Sequence, residues 1–432
     1  MVWLLSSCGN EVSIEANEHT EILKELTPNE TIKPLESSTV LYIDASTVFL
    51  DAKESPIFND MKSQFYQYIG TLVFIKGNQF DTIECNRQKQ TIFNALQNMN
   101  SDYDHADIQR AVENICDGNR QGMIISDFEF WKNGLHDNDG YLSEPFKKWL
   151  AKGYQIDILT EPYLEKRNLK KRFYMFFTNP YDKAPITNTM IEQVKKYKVD
   201  TNPDVGQCSL FTIRNSDIYI KRVRKELSSS NEIDIKSDTI NSQCELVTTE
   251  ASWPDIKKFL MKLDKHDKVI EEETPIPIVD GLRLFNGKNY SVNKITIRAT
   301  NITKWYLSKQ ENDDKYNENP LDISDAFEVL MNDKNEISIF LNKNIFSNKH
   351  LYHNKEEFDG NLIRIDLIVD NSSVNKYDKT VFQWNSVQKG KQTEQIAICV
   401  SLSLDNVLKD IDIVPDGDTL YTIYIQTPSF KK

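Results

Sequence analysis

Thr39-Val40-Leu41-Tyr42-Ile43-Asp44-Ala45-Ser46 is an apolar run that ends in a carboxylate and a hydroxyl. About 80 residues later, Met123-Ile124-Ile125-Ser126-Asp127-Phe128-Glu129 repeats the pattern. Apolar runs without alternation mark strands buried on both faces, as in parallel sheets. The carboxyl edge of such a sheet is where ligands bind. Asp44 and Ser46 on one strand and Asp127 on another supply the hard oxygen atoms that Mg²⁺ or Ca²⁺ prefers. A second role is open to the same two aspartates: accepting the free N–H groups at neighbouring helix N-termini.

Working outward, residues 38–197 alternate strand and helix patterns. Pro56 opens a helix with Ile57, Met61, Phe65 and Tyr68 at near-helical spacing. Gly77-Asn78 joins strands over 71–76 and 79–83 as a hairpin. Helices are predicted over 91–99, 104–116, 146–151 and 186–197, and strands over 123–127, 155–160 and 173–178. This order predicts an α/β fold: a doubly wound, mostly parallel sheet with one antiparallel hairpin. Residues 209–213 and 218–223 are expected to form a hairpin, and 227–243 a polar loop. A helix is predicted over 251–264, and Glu271 to Pro277 reads as a linker. Beyond it, strands over 295–302, 336–341, 362–369, 395–404 and 421–427 suggest a mainly-β sandwich. The expected organisation is a tether over 1–37, the α/β domain over 38–200, a connecting segment over 201–274 and the β-domain over 275–432.

With 432 residues the chain exceeds what one compact core supports. Its 52 basic and 65 acidic residues leave a net charge of −13. That balance weighs against a nucleic-acid partner, because phosphate binding needs clustered Lys and Arg. The short basic runs from Lys166 to Arg172 and from Lys221 to Lys225 read as solvated faces. Cys85, Cys116, Cys208, Cys244 and Cys399 have no C-x-x-C spacing, and the six histidines form no zinc motif. Trp131, Trp149, Trp305 and Trp384 read as packing residues, and Phe128 as a buried one beside Asp127.

Near the start, Leu5-Ser6-Ser7-Cys8 resembles a bacterial lipobox, in which the cysteine receives the lipid. A polar, acidic stretch follows to about Ser38, with little to bury. The resemblance implies lipidation of Cys8, attachment to a membrane by lipid alone and residence in a bacterial cell envelope, facing the outer membrane or periplasm.

The Asp44-x-Ser46 and Asp127 pattern resembles the von Willebrand factor A domain and its metal-ion-dependent adhesion site. In that family the first strand ends in Asp-x-Ser-x-Ser, a later loop adds a Thr, and the fourth strand adds an Asp. Asp44 and Ser46 match the first elements, Asp127 matches the last, and Ser101, Asp102 and Asp104 lie where the Thr loop belongs. Val48 replaces the second Ser, and Ser126-Asp127-Phe128 stands where Asp-Gly is common, so the site is degenerate. The resemblance implies a protein–protein interaction domain without enzymatic activity. Its Mg²⁺ or Ca²⁺ would leave one coordination position for a partner's carboxylate.

Residues 42–50, with His105-Ala106-Asp107, also look like parts of PIN-domain ribonucleases. That resemblance implies that Asp44, Glu84, Asp107 and Asp127 hold Mg²⁺ or Mn²⁺ and activate a water. The Gly-Asn hairpin and the sheet's continuation past Asp127 fit the adhesion domain better. A third expectation is a metal-free structural protein of the envelope.

Overall fold

The computed structural model describes residues 34–46, 55–99, 103, 105–129, 131–132, 135–136, 140–165, 168–180, 208–215, 217–223, 237–241, 244–248, 276–306, 320–342, 361–382, 384–388, 391–396 and 398–426. Cys8, Val48, Ser101, Asp102 and Asp104 lie outside the described residues, as do the helices expected over 186–197 and 251–264.

In chain order the first elements are β1 (Glu36–Asp44), α1 (Pro56–Lys62), α2 (Phe65–Tyr68), β2 (Ile69–Lys76), β3 (Gln79–Glu84), α3 (Lys89–Gln97), α4 (Ile108–Asp117) and β4 (Arg120–Ser126). A two-rung hairpin, β5 (Trp131–Lys132) and β6 (Leu135–His136), precedes α5 (Ser143–Ala151), β7 (Gln155–Glu165), β8 (Asn168–Thr178) and β9 (Ser209–Arg214). There follow β10 (Tyr219–Arg222), β11 (Ser237–Asn241), β12 (Cys244–Thr248), β13 (Ile276–Phe285), β14 (Tyr290–Asn301), β15 (Leu321–Asp322), β16 (Phe327–Met331), β17 (Glu336–Leu341) and β18 (Leu362–Val374). The chain ends through β19 (Trp384–Gln388), β20 (Lys391–Ile396), α6 (Ile398–Leu408) and β21 (Thr419–Gln426).

Two compact units result. One comprises Thr31–Ser216 with Val374–Val414; the other is built on Asp217–Ser373 and Pro415–Lys432. Residues 374–414, which the sequence groups with the C-terminal β-domain, therefore fall in the α/β unit.

The α/β unit is organised on a seven-stranded sheet in the order β3-β2-β1-β4-β8-β7-β9. At its centre β1 pairs parallel with both β2 and β4. Antiparallel pairing joins β3 to β2, β8 to β4, β7 to β8 and β9 to β7. Hence β2, β1, β4 and β7 run one way and β3, β8 and β9 the other. The expected single hairpin is joined by a second, β7–β8, whose pairing runs out to Glu165↔Asn168.

Side chains alternate across this sheet. Leu41, Ile43, Leu72, Phe74, Met123, Ile125, Tyr174 and Phe176 share one core with Ile57, Phe58 and Met61 of α1, Phe65 of α2, and Ile92 and Leu96 of α3. Each fully buried side chain of this size contributes roughly 1.5–3 kcal/mol. The opposite face takes α4 and α5. Trp149 of α5 meets Phe177 of β8 edge-on at 5.7 Å, and Phe146 tilts against the same ring at 6.1 Å. Trp149 is a packing residue, as expected.

Local signals explain most boundaries. Ser55 caps α1 by accepting the Phe58 amide at 3.0 Å, with Pro56 at the first helical position. The pattern from Ile57 to Tyr68 is not one helix but two short ones broken at Ser63–Gln64. Gly77 turns the β2–β3 hairpin with a φ of +59°, which suits a residue without Cβ.

Three expectations are corrected. Residues 209–213 and 218–223 do form strands, but β9 pairs with β7 and β10 with β13, so they are not a hairpin. Part of the expected polar loop, Ser237–Asn241, is strand β11. The strand expected over 395–404 is mostly helix α6. Its alternating Val400, Leu402 and Leu404 mimic period two. The buried set Val400, Ser403, Leu404, Val407 and Leu408 has helical spacing instead, while Leu402 stays exposed. Helix α6 packs on α5, where Ser403 Oγ accepts the Leu142 amide at 3.1 Å and Lys147 pairs with Asp410 at 3.0 Å.

The second unit holds two sheets, in the orders β10-β13-β17-β16 and β11-β12-β21-β18-β14-β15. The β10–β13, β13–β17 and β16–β17 pairs are antiparallel, as are β11–β12, β14–β15 and β18–β21. One parallel pair, β12–β21, interrupts the pattern.

At Gly122 of β4 a Cβ would lie 2.4 Å from Ile115 Cγ2 of α4, so this glycine permits the helix to approach the sheet. Gly122→Ala is expected to destabilise the protein by roughly 1–3 kcal/mol through overpacking. Adding Ile115→Val should recover part of that loss, which urea denaturation of the single and double variants measures.

Candidate metal centre

The parallel register places the site. Ile43 of β1 lies beside Ile125 of β4, and Asp44 lies beside Ile75 of β2, so Asp44 and Ser126 end adjacent strands at one rim. Ser126 Oγ crosses that boundary and donates to Asp44 Oδ2 at 2.8 Å. Asp44 Oδ1 accepts the Ser46 amide at 2.8 Å, closing an Asx-turn at the strand's exit. Asp127 repeats the device, its Oδ1 accepting the Glu129 amide at 3.0 Å. Both aspartates thus fold their own exit turns; neither accepts from a helix N-terminus among the described residues.

Phe128 lies between these turns with a φ of +55°, the left-handed region that non-glycine residues rarely occupy. That conformation costs about 1–2 kcal/mol. It is offset by complete burial of the ring, edge-on to Phe173 of β8 at 5.6 Å. The Phe128 amide donates to Ser126 Oγ at 2.9 Å, and its carbonyl accepts the Cys399 thiol of α6 at 3.6 Å. The segment after β4 is therefore pinned from three sides.

Asp44 and Asp127 are both buried, at 2% and 4% exposure. Burial raises the Asp44 carboxyl above its ordinary pKa. The Ser46 hydroxyl and amide, the Ser126 hydroxyl and the charge of His105 pull it partly back. Burial also drives Asp127, and the negative charges of Glu129 and Asp44 push it further, well above the usual carboxylate value. Lys170 and the Glu129 amide oppose that rise. Two carboxylates at one dry rim repel each other, and a divalent cation between them would relieve both terms at once.

The donor set is hard oxygen throughout: Asp44, Ser46, Ser126 and Asp127. Ser46 also forms a parallel bridge with Tyr103, which brings that residue to this rim. Among the described residues no group of three or more His, Cys, Asp or Glu side chains could hold a metal. A set of two carboxylates completed by hydroxyls does not require one.

The four carboxylates of the nuclease resemblance are not brought together. Glu84 pairs with Thr71, and Thr71 with Val40, so Glu84 stands level with Val40, roughly 13 Å along the strand from Asp44. There its Oε2 accepts the Thr71 hydroxyl at 3.1 Å. Asp107 reaches the same rim as Asp44 through the Gly77–Ala106 bridge, but its carboxylate caps α4 by accepting the Arg110 amide at 3.2 Å.

Ser126, His105, Glu129 and Lys170 also act at the site and lie outside the Asp-x-Ser…Asp pattern. Ser126 and Glu129 flank Asp127 within the quoted motif; His105 and Lys170 act through their charge and leave no local signal. The chain matches no family model, no curated protein and no solved structure.

Because the folded pKa of Asp127 lies above its unfolded value, the native state keeps a proton that the unfolded chain has already released. In chelator, stability is therefore expected to fall as pH rises from the unfolded carboxylate pKa through the raised folded one. Asp127→Asn should flatten that dependence and leave the metal-free variant more stable than wild type at neutral pH. Thermal unfolding across the pH range measures both, and a wild-type profile that rises over the same window contradicts the assignment.

Proposed function

We propose that this chain is a lipid-anchored protein of the bacterial cell envelope that binds a protein partner through the rim of its α/β unit. The β3-β2-β1-β4 strand order and the matched exits of β1 and β4 support a von Willebrand A-like head. Beyond β4 the antiparallel β8 departs from a purely parallel continuation. In this reading the two-sheet unit is a β-sandwich that presents or supports the head, and Cys8 carries the lipid.

The observation that carries the proposal is the pair of buried, mutually repelling carboxylates at the ends of adjacent parallel strands. Nothing in the hydrocarbon core needs them there. Asp44, Ser46, Ser126 and Asp127 would hold Mg²⁺ or Ca²⁺, with Ser101, Asp102 or Asp104 supplying a further oxygen from the Tyr103 segment. The bound ion would supply Lewis acidity toward an acidic side chain of the partner. The chain's residues fix the ion's position and keep the rim dry. In this reading the role is adhesion, not hydrolysis.

Titration calorimetry with Mn²⁺ as the probe should show one saturable site that tightens with rising pH. Proton release should appear as a buffer-dependent heat, because binding ionises a carboxyl whose pKa is raised. Asp127→Ala should abolish the site and Ser126→Ala weaken it. Unchanged Mn²⁺ binding in Asp127→Ala would remove the cation from the account. For the anchor, mass spectrometry of protein from its native host should find diacylglycerol on Cys8.

A further inference from the structure

The four-stranded sheet of the second unit has one buried face and one open face. Ile220 of β10, Leu282 and Leu284 of β13, and Ile337, Ile339 and Leu341 of β17 point inward and are buried. Cross-strand partners share a face, so the pairs Tyr219↔Phe285, Lys221↔Arg283, Arg283↔Glu336, Leu330↔Ser338 and Glu328↔Phe340 belong to the other side. There Leu330 is 60% exposed, and Tyr219 and Val223 are each 41% exposed. Of the five exposed large apolar side chains among the described residues, three therefore stand on this one face. Such a concentration marks an interaction surface.

The pattern on the open face is complementary to itself. Along the strand order β10-β13-β17-β16, one rung reads Lys221, Arg283, Glu336, with positive charge on the β10–β13 half and negative charge on β17. Arg283 and Glu336 flank the centre line without pairing with each other. The guanidinium lies over the Phe285 ring at 5.7 Å, and Glu336 Oε2 accepts Asn332 Nδ2 at 2.9 Å. The next rung begins at Val223, whose amide donates to the Gly281 carbonyl at 2.7 Å. It continues through Ser338, which faces the Asp280–Gly281 bulge and donates to Asp280 Oδ1 at 3.3 Å, and ends at Leu330. Each outer strand thus carries one exposed aliphatic side chain, with two small residues between them.

We propose that this face joins two copies of the chain in a symmetric dimer, with the two-fold axis lying along the strands between β13 and β17. That rotation reverses the strand order of the second copy and keeps every rung level. Arg283 then meets the second copy's Glu336, and Glu336 meets its Arg283, as an isologous contact requires. Val223 and Leu330 meet Leu330 and Val223 in the same way. An axis across the strands would instead set Arg283 against Arg283. A uniformly acidic or basic partner would match only half of the charged rung, so charge selects a second copy. Four strands about 4.8 Å apart, with two or three outward residues each, give roughly 400 Å² of sheet per copy. That is about half of a standard interface, so the dimer is weak and forms at micromolar concentration or above. The apolar contacts supply affinity and the charges fix the register. Neither Asp44 nor Asp127 takes part, so this inference does not depend on the cation centre.

The test is sedimentation equilibrium of the full chain, reduced and in chelator, from about 5 to about 500 µM. A reversible monomer–dimer equilibrium is expected. Arg283→Glu and Glu336→Arg should each weaken it by about tenfold or more, because each sets like charges across the axis. An equimolar mixture of the two variants should dimerise again, since every pair across the axis is then opposite in sign. Repair of folding within one chain cannot produce that rescue. Leu330→Asp, at an exposed position, should weaken association to a similar degree and decides the point if either reversal fails to fold. A wild-type chain that stays monomeric throughout overturns the proposal. So does association that the reversals and Leu330→Asp leave unchanged, or a mixture no more associated than its two components.

Discussion

Keeping two carboxylates dry at the end of a hydrophobic sheet is the constraint on which the proposed function rests. Strands β1 and β4 are apolar on both faces, so they pair in the centre of the sheet and carry their terminal residues into a low-dielectric rim. Their parallel register leaves Asp44 and Ser126 no choice but to meet. Asp127 follows within one residue, and its carboxyl is raised by burial and by the charges around it. A chain selected only for stability would place asparagine or serine here. Retaining ionisable groups at such a cost is the pattern of a site that gains something from their charge.

The surroundings hold that rim rigid. Two Asx-turns shape the exits of β1 and β4, a left-handed Phe128 is locked by Phe173, and Cys399 of α6 holds the Phe128 carbonyl. Helix α6 comes from the far end of the chain, after the whole of Asp217–Ser373. The α/β unit is therefore complete only when residues 374–414 have returned to it. Ser55 ties the α1 N-terminus to Glu161 of β7 while capping the helix through the Phe58 amide.

Much of this was legible in the sequence wherever the signal was local. The apolar runs ending at Asp44 and Asp127, the Gly77-Asn78 turn and the Pro56 helix start all depend on neighbouring residues, and all appear where expected. What was missed depended on partners distant in sequence. Whether β8 runs with or against β4 is not written in Phe173 to Thr178; it follows from the antiparallel pairing of β8 with β7 as well as β4. Helix α6 was read as a strand because Val400, Leu402 and Leu404 alternate, although the alternation also satisfies a helix that buries Ser403 against α5. In the candidate site, Asp44, Ser46 and Asp127 are the residues the sequence pattern proposes. Lys170, distant in sequence, reaches Asp127 through its charge, and the Glu161–Arg172 pair emerges only once the strand register is known. The run from Lys166 to Arg172 reads as a solvated basic face; in the fold Arg172 is buried.

Anomalous diffraction from a crystal soaked in Mn²⁺ tests the central claim most directly. The account expects one strong peak coordinated by oxygens of Asp44 and Asp127, with Ser46 or Ser126 in its ligand sphere, and no such peak in Asp127→Ala crystals. An empty rim at saturating Mn²⁺, with Asp44 and Asp127 still holding only their own turn amides and the Ser126 hydroxyl, would contradict it.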